Sequence, residues 1–177
     1  MQPSLTKEHI HLRRDLLRLD GVSAGEKFGG EAFFFGRRFF CHIHRGNGFL
    51  FLETFVWNNV DKVMKSVHGA MPHPQYGGYG WVRFKVSSSD DLANARRLIE
   101  MSHDYMVRTK RISLPRTEET KGMVKSAKVR FPGIHFEAKD SLRRTQVIME
   151  VQRASGSVQP GELLNQAALF LRKSVCV

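Results

Sequence analysis

His42-Ile43-His44, two histidines one residue apart, is where this chain is best equipped to do chemistry. Alternate side chains of a strand project from the same face, so both imidazoles would point the same way. Their Cα atoms would stand about 6.6 Å apart, close enough for both rings to reach one metal ion at about 2.0–2.1 Å. His73 or Glu53 would supply a third ligand, leaving positions open for substrate or dioxygen. Without a metal, a neutral imidazole near pH 7 is matched to taking a proton from a phenol or an enol. A His-x-His pair also arises where two rings bond to backbone or water, and spacing alone leaves all three readings open.

Further along, Trp81, Arg83 and Lys85 share one face of an alternating strand. They would make an aromatic and cationic platform for an anionic planar ligand or a nucleic-acid base, or a half-exposed strand with solvated basic residues. Tyr76 and Tyr79 stand among glycines in Pro72-His-Pro-Gln-Tyr-Gly-Gly-Tyr-Gly, a loop by composition and a candidate lid. No nucleophile elbow, P-loop or strand-to-helix GxGxxG occurs, which argues against nucleotide chemistry of those standard kinds.

The elements that would position these residues form an antiparallel meander. A helix from about Lys7 to Leu19 ends at Gly21, and the stretch from Gly25 to Gly30 reads as a loop. Strands over Glu31–Phe35 and Arg38–Ile43 flank Gly36-Arg37, with glycine first as a type II′ turn requires. Alternation puts Phe39, Cys41 and Ile43 on one face and Phe40, His42 and His44 on the other. A third strand covers Phe49–Glu53, and Val60, Val63, Met64 and Val67 mark a helix with one buried stripe. Trp81–Val86 is a strand, and a long helix follows to about Met106 with Leu92, Ala95, Ile99, Ser102 and Met106 inward. The polar run 113–122, containing Pro115, reads as a linker. Beyond it one strand, Thr145–Val151, and one helix, Gly161–Lys173, are legible. So few elements make a poor independent core, and the segment is expected to dock on the main sheet.

The chain carries a net charge of +11, which favours acidic partners. The charge is spread out: residues 1–114 carry +6, residues 115–177 carry +5, and basic clusters are only pairs such as Arg37-Arg38. No apolar run approaches the roughly 20 residues of a membrane span, and Met1–Glu8 lacks a signal pattern. Two cysteines, Cys41 and Cys176, make no disulfide framework, and a reducing cytoplasmic setting is expected.

Several short motifs occur in an order that resembles the fungal-luciferase-type domain family. They are Phe28-Gly-Gly-Glu-Ala-Phe, Gly36-Arg-Arg-Phe-Phe-Cys-His-Ile-His, Pro72-His-Pro, Gly80-Trp-Val-Arg-Phe and Ala95-Arg-Arg-Leu-Ile-Glu-Met-Ser. The resemblance covers about residues 15–108. It implies a small-molecule-binding domain, with members that oxidise a hydroxypyrone with dioxygen and need no known metal or organic cofactor. His42, His44, His73 and Trp81 match the shared motifs. The light-emitting members carry an acidic residue before the tryptophan, where this chain has Gly80, and an N-terminal membrane segment that is absent from this sequence. A more distant likeness, through Leu19-Asp-Gly-Val and the Gly-Trp-Val strand, runs to the MmcQ/YjbR proteins, often described as DNA-binding.

These readings combine into an α+β fold: an antiparallel meander with helices mainly on one face, plus a C-terminal strand and helix. The expected organisation is a luciferase-type domain over 1–112, a linker over 113–122 and an extension over 123–177. The expected activity is that of an oxygen-using enzyme acting on an enolic or phenolic small molecule. His42, His44 and His73 would be catalytic, and Trp81, Arg83 and Tyr79 would bind substrate. No cofactor is expected, with a metal at His42 and His44 as the lesser alternative. The alternative function is a basic nucleic-acid-binding module.

Overall fold

The computed structural model of the 177-residue chain describes residues 6–115, 117–140, 144–152 and 159–173; Cys176 lies outside them. The fold is mixed α+β, and the chain divides into two compact units, Met1–Tyr105 and Met106–Val177.

The first unit opens with helix α1 (Thr6–Leu17). Strands β1 (Val22–Lys27), β2 (Gly30–Phe35), β3 (Arg38–Gly46) and β4 (Phe49–Phe55) follow as a meander. Helix α2 (Val60–Ser66) leads to the short strand β5 (Ala70–Pro72), then β6 (Trp81–Val86) and the long helix α3 (Leu92–Arg108). The six strands form one antiparallel sheet in the order β1-β2-β3-β4-β6-β5.

Turn chemistry sets the register. Gly36, at φ +59°, heads the two-residue turn that pairs Phe35 with Arg38, as a type II′ hairpin requires. Asn47-Gly48 closes the next hairpin, with Gly48 at φ +76°. Ser88 caps the entry to α3 in a reciprocal capping box with Asp91.

One face of the sheet is covered by helices. Arg13 of α1 donates through Nε to Glu31 Oε1 at 2.7 Å, and Arg96 of α3 donates to Asp15 of α1 at 2.7 Å. The apolar strand residues of this face, Ile43, Leu50, Leu52, Phe84 and Val86, are at most 2% exposed, as are Leu12, Leu16, Leu98 and Ile99 of the helices. Each such side chain contributes roughly 1.5–3 kcal/mol of burial. The expected inward stripe of α3 is buried throughout.

Two expectations for this unit change. The stretch read as a loop over Gly25–Gly30 supplies β1, the turn Phe28-Gly29 and the start of β2. As an edge strand β1 buries none of its side chains fully, so it carries no apolar alternation to read. The second change is a β-bulge: Phe33 pairs with Cys41 but Phe34 pairs with Phe39, leaving Phe40 as the extra residue. The bulge turns Phe39 onto the histidine face and sends Phe40, 0% exposed, to the core, opposite to simple alternation. A smaller difference lies in α2, where Met64 is exposed while Val63 and Val67 are buried.

Gly80, at φ +88°, accepts hydrogen bonds through its carbonyl from the backbone N–H groups of Val56 and Trp57. A Cβ there would meet the Trp57 backbone at 2.3–2.7 Å. No side chain fits, which is the physical reason an acid cannot precede Trp81 in this chain.

The second unit is richer than the sequence suggested. Strand β7 (Thr109–Pro115), helix α4 (Glu118–Arg130), strands β8 (Ile134–Asp140) and β9 (Arg144–Val151), and helix α5 (Pro160–Lys173) make a three-stranded antiparallel sheet, β7-β9-β8, with two helices. Its own core joins Ile112, Phe136, Val147, Met149, Val124, Ala127, Leu164 and Leu171. The run 113–122 thus covers the end of β7 and the start of α4, where Thr117 caps the helix by accepting from the Thr120 N–H at 3.1 Å.

Candidate functional site

The face of the sheet opposite α1 and α3 carries a polar cluster. Register places it: His42 pairs with Glu53 across β3 and β4, and Glu53 pairs with Arg83 across β4 and β6. Side chains at directly paired positions lie on one face about 5 Å apart. His44 pairs with Phe51, and Phe55 with Trp81, on the same face.

Glu53 is the centre of the cluster, and its side chain is only 8% exposed. Its Oε1 accepts from Arg83 Nε at 2.7 Å, and Arg83 Nη2 at 2.7 Å and His73 Nε2 at 3.1 Å stand beside the same oxygen. His44 Nε2 stands 3.8 Å from the same oxygen. His42 Nδ1 stands 3.5 Å from Oε2, at the outer limit of a hydrogen bond. Burial pushes the Glu53 carboxyl up, but His42 and Arg83 at hydrogen-bonding positions, with His44 and His73 nearby, outweigh it and bring it down to about 2. Glu53 is therefore a carboxylate at neutral pH.

The three histidines differ. His73 Nδ1 accepts the backbone N–H groups of Gln75 and Tyr76, both at 3.1 Å. A ring nitrogen that accepts two N–H bonds carries no proton, so Nδ1 faces the turn and Nε2 faces the cluster, 3.1 Å from Glu53 Oε1 and 3.4 Å from Arg83 Nη2. His73 thus ties the 73–76 turn to the cluster. His42, 4% exposed, has no partner at Nε2 among the described residues. Its ring fills the notch left by Gly30, where a Cβ would lie 2.4 Å from Nε2. His44 is a third exposed and faces the cavity. Burial pushes its imidazole below the ordinary histidine range, with Glu53 opposing, so the ring is neutral at pH 7 with a lone pair to offer.

A cavity of about 290 Å³ opens over the cluster. His42, His44, Glu53, His73 and Arg83 form its polar side, and Phe28, Phe39, Trp81 and Tyr76 its aromatic side. Phe39 and Trp81 stack with centroids 4.9 Å apart, and Lys27 Nζ lies 4.6 Å from the Phe39 centroid. This size is at the small end of ligand pockets, and a few convergent polar groups on an aromatic wall are their usual lining.

Of the residues singled out from sequence, His42, His44, His73, Trp81 and Arg83 meet at this cavity. Tyr79 does not: it is 70% exposed, and Tyr76 lines the cavity instead. Lys85 lies over the Phe49 ring at 4.6 Å, outside the cavity. Arg83 does not stand ready for a ligand's charge, since its guanidinium is bound to Glu53 and lies 4.4 Å from the Phe51 centroid. Sequence reasoning passed over Phe39, hidden by the bulge, and Phe28, which sits at φ +54° in the β1–β2 turn. The signal for Glu53 as the centre was its place as the sole charge in Phe49-Leu-Phe-Leu-Glu-Thr-Phe.

Compared with known proteins, the chain matches no family model, no curated protein and no solved structure. No helix among the described residues is long and apolar enough to cross a membrane.

Proposed function

We propose that this cavity binds a small planar enol or phenol and presents it to dioxygen. The observation that carries the reading is the convergence of three imidazoles and a buried carboxylate against an aromatic wall in one cavity of about 290 Å³. His42 and His44 bind the ionisable oxygen of the substrate, and Trp81 with Phe39 flanks its ring. Arg83 and His73 are positioning residues that hold Glu53. The reaction class comes from the likeness to the fungal-luciferase-type domain family in the order of its motifs. A buried charged cluster is also costly to keep for stability alone, which favours a chemical use.

The test is a titration of the protein with a substituted phenol and with a 4-hydroxy-2-pyrone, read by Trp fluorescence and followed by oxygen consumption. Saturable quenching that disappears in Trp81→Phe and weakens in His44→Ala is expected. Quenching unchanged in Trp81→Phe, or none with either compound, contradicts the reading. A nucleic-acid-binding module of MmcQ/YjbR type is the second reading, favoured by the +11 charge carried over the whole chain. It requires affinity for duplex or single strands that falls steeply with salt.

A further inference from the structure

We infer that His42, His44 and Glu53 form a site for one divalent first-row transition cation of the Fe2+ or Zn2+ class. The donor atoms of the three residues lie within 4.8 Å of one another. His42 Nδ1 is 3.5 Å from Oε2 of Glu53, and His44 Nε2 is 3.8 Å from its Oε1. Ligands on a tetrahedral ion with bonds of about 2.0–2.2 Å stand about 3.4 Å apart. The set therefore needs to close by roughly an ångström, and His44, a third exposed, has room to move.

A second observation is the burial of His42. His42 is 96% buried, and its Nδ1, the ring nitrogen that faces Glu53, stands 3.5 Å from Oε2, longer than an ordinary hydrogen bond. An ion between Nδ1 and Oε2 would give both atoms a close partner, while Nε2, which lies against Gly30, is not one of the donors.

A third observation is the support around the carboxylate. Arg83 and His73 stand at Oε1, while Oε2 faces His42. His73 is itself fixed by two backbone N–H bonds. Ligating carboxylates are held in this way by outer hydrogen bonds. Two imidazoles and one carboxylate oxygen suit Fe2+, Zn2+ or Co2+ over Mg2+ and Ca2+, which take all-oxygen sets. Three protein ligands leave coordination positions open to the cavity. With Arg83 already balancing Glu53, a divalent ion gives the cluster a net positive charge, and an enolate or phenolate oxygen would then meet the ion in place of the His42 and His44 rings. Only this last step rests on the proposed substrate.

The experiment uses the untagged full chain, stripped with a chelator and titrated with Co2+ alone, reading visible ligand-field absorption and metal per chain. Absorption saturating at one Co2+ per chain is expected, and Zn2+ should displace it. His44→Ala, whose partly exposed side chain is dispensable for folding as checked by circular dichroism, should weaken Co2+ binding more than about tenfold. His135→Ala, an exposed histidine of the second unit, should leave it unchanged. No saturable absorption, or absorption that survives His44→Ala, overturns the assignment. No substrate is present, so an intact Co2+ site alongside absent phenol binding would sink the pocket reading and leave this one standing.

Discussion

The two antiparallel sheets of this chain bury different chemistry. The three-stranded sheet of the second unit packs an apolar cluster, with Thr109, Thr120 and Thr145 as the buried polar residues recorded there. The six-stranded sheet has an apolar face of the same kind, but its other face buries Glu53, His42 and His73 beneath an open cavity. An apolar core is sufficient to hold such a sheet, as the second unit shows. The charged cluster is thus additional to the apolar face of the first unit, and it lines an open cavity.

The contrast can be broken most forcefully in the second unit. Phe136→Ala, at a side chain 3% exposed in an apolar core, should cost about 3–5 kcal/mol in urea unfolding. Phenol binding per folded molecule should not change, because no cavity residue lies in that unit. Glu53→Gln comes next, at about 3 kcal/mol, since Arg83 loses its buried counter-charge. Replacing both, Glu53→Leu with Arg83→Leu, should recover much of that loss in the same urea experiment while ligand binding stays absent. Stability that falls further in the double variant would make the pair structural.

Gly30→Ala sharpens the comparison at smaller cost. The new Cβ would lie 2.4 Å from His42 Nε2, so the ring must shift, at about 1–3 kcal/mol by thermal unfolding and with weakened ligand binding. The smallest effect belongs to Tyr79→Ala, which should stay within about 0.5 kcal/mol and leave phenol affinity unchanged. Tyr76→Ala, which trims the cavity wall, should lower that affinity in the same fluorescence titration.

Much of the first unit was legible because its signals are local. Gly36 and Gly48 set the hairpins, and Val82, Phe84 and Val86 alternate cleanly on β6. The missed elements lack such signals. Edge strand β1 buries no complete face, and α4 hides a narrow stripe of Thr120, Met123, Val124 and Ala127 among charges. In β7 only Ile112 and Leu114 are recorded as buried apolar residues, too few to announce a strand beside Pro115. At the site, strand period was enough to place His42 beside His44, and composition to mark Trp81 and His73. The single inserted residue at Phe40 inverted the phenylalanines, since a bulge is written in pairing rather than in residue type. Glu53's partners likewise depend on which strands neighbour β4, a long-range choice that no local pattern carries.

The most direct test measures His44→Ala twice, by phenol titration calorimetry and by urea unfolding. The account predicts unfolding free energy within about 1 kcal/mol of the parent, because the side chain is partly exposed and makes no strong hydrogen bond, with affinity reduced more than about tenfold. Unchanged affinity, or a loss of affinity matched by an equal loss of stability, would contradict it.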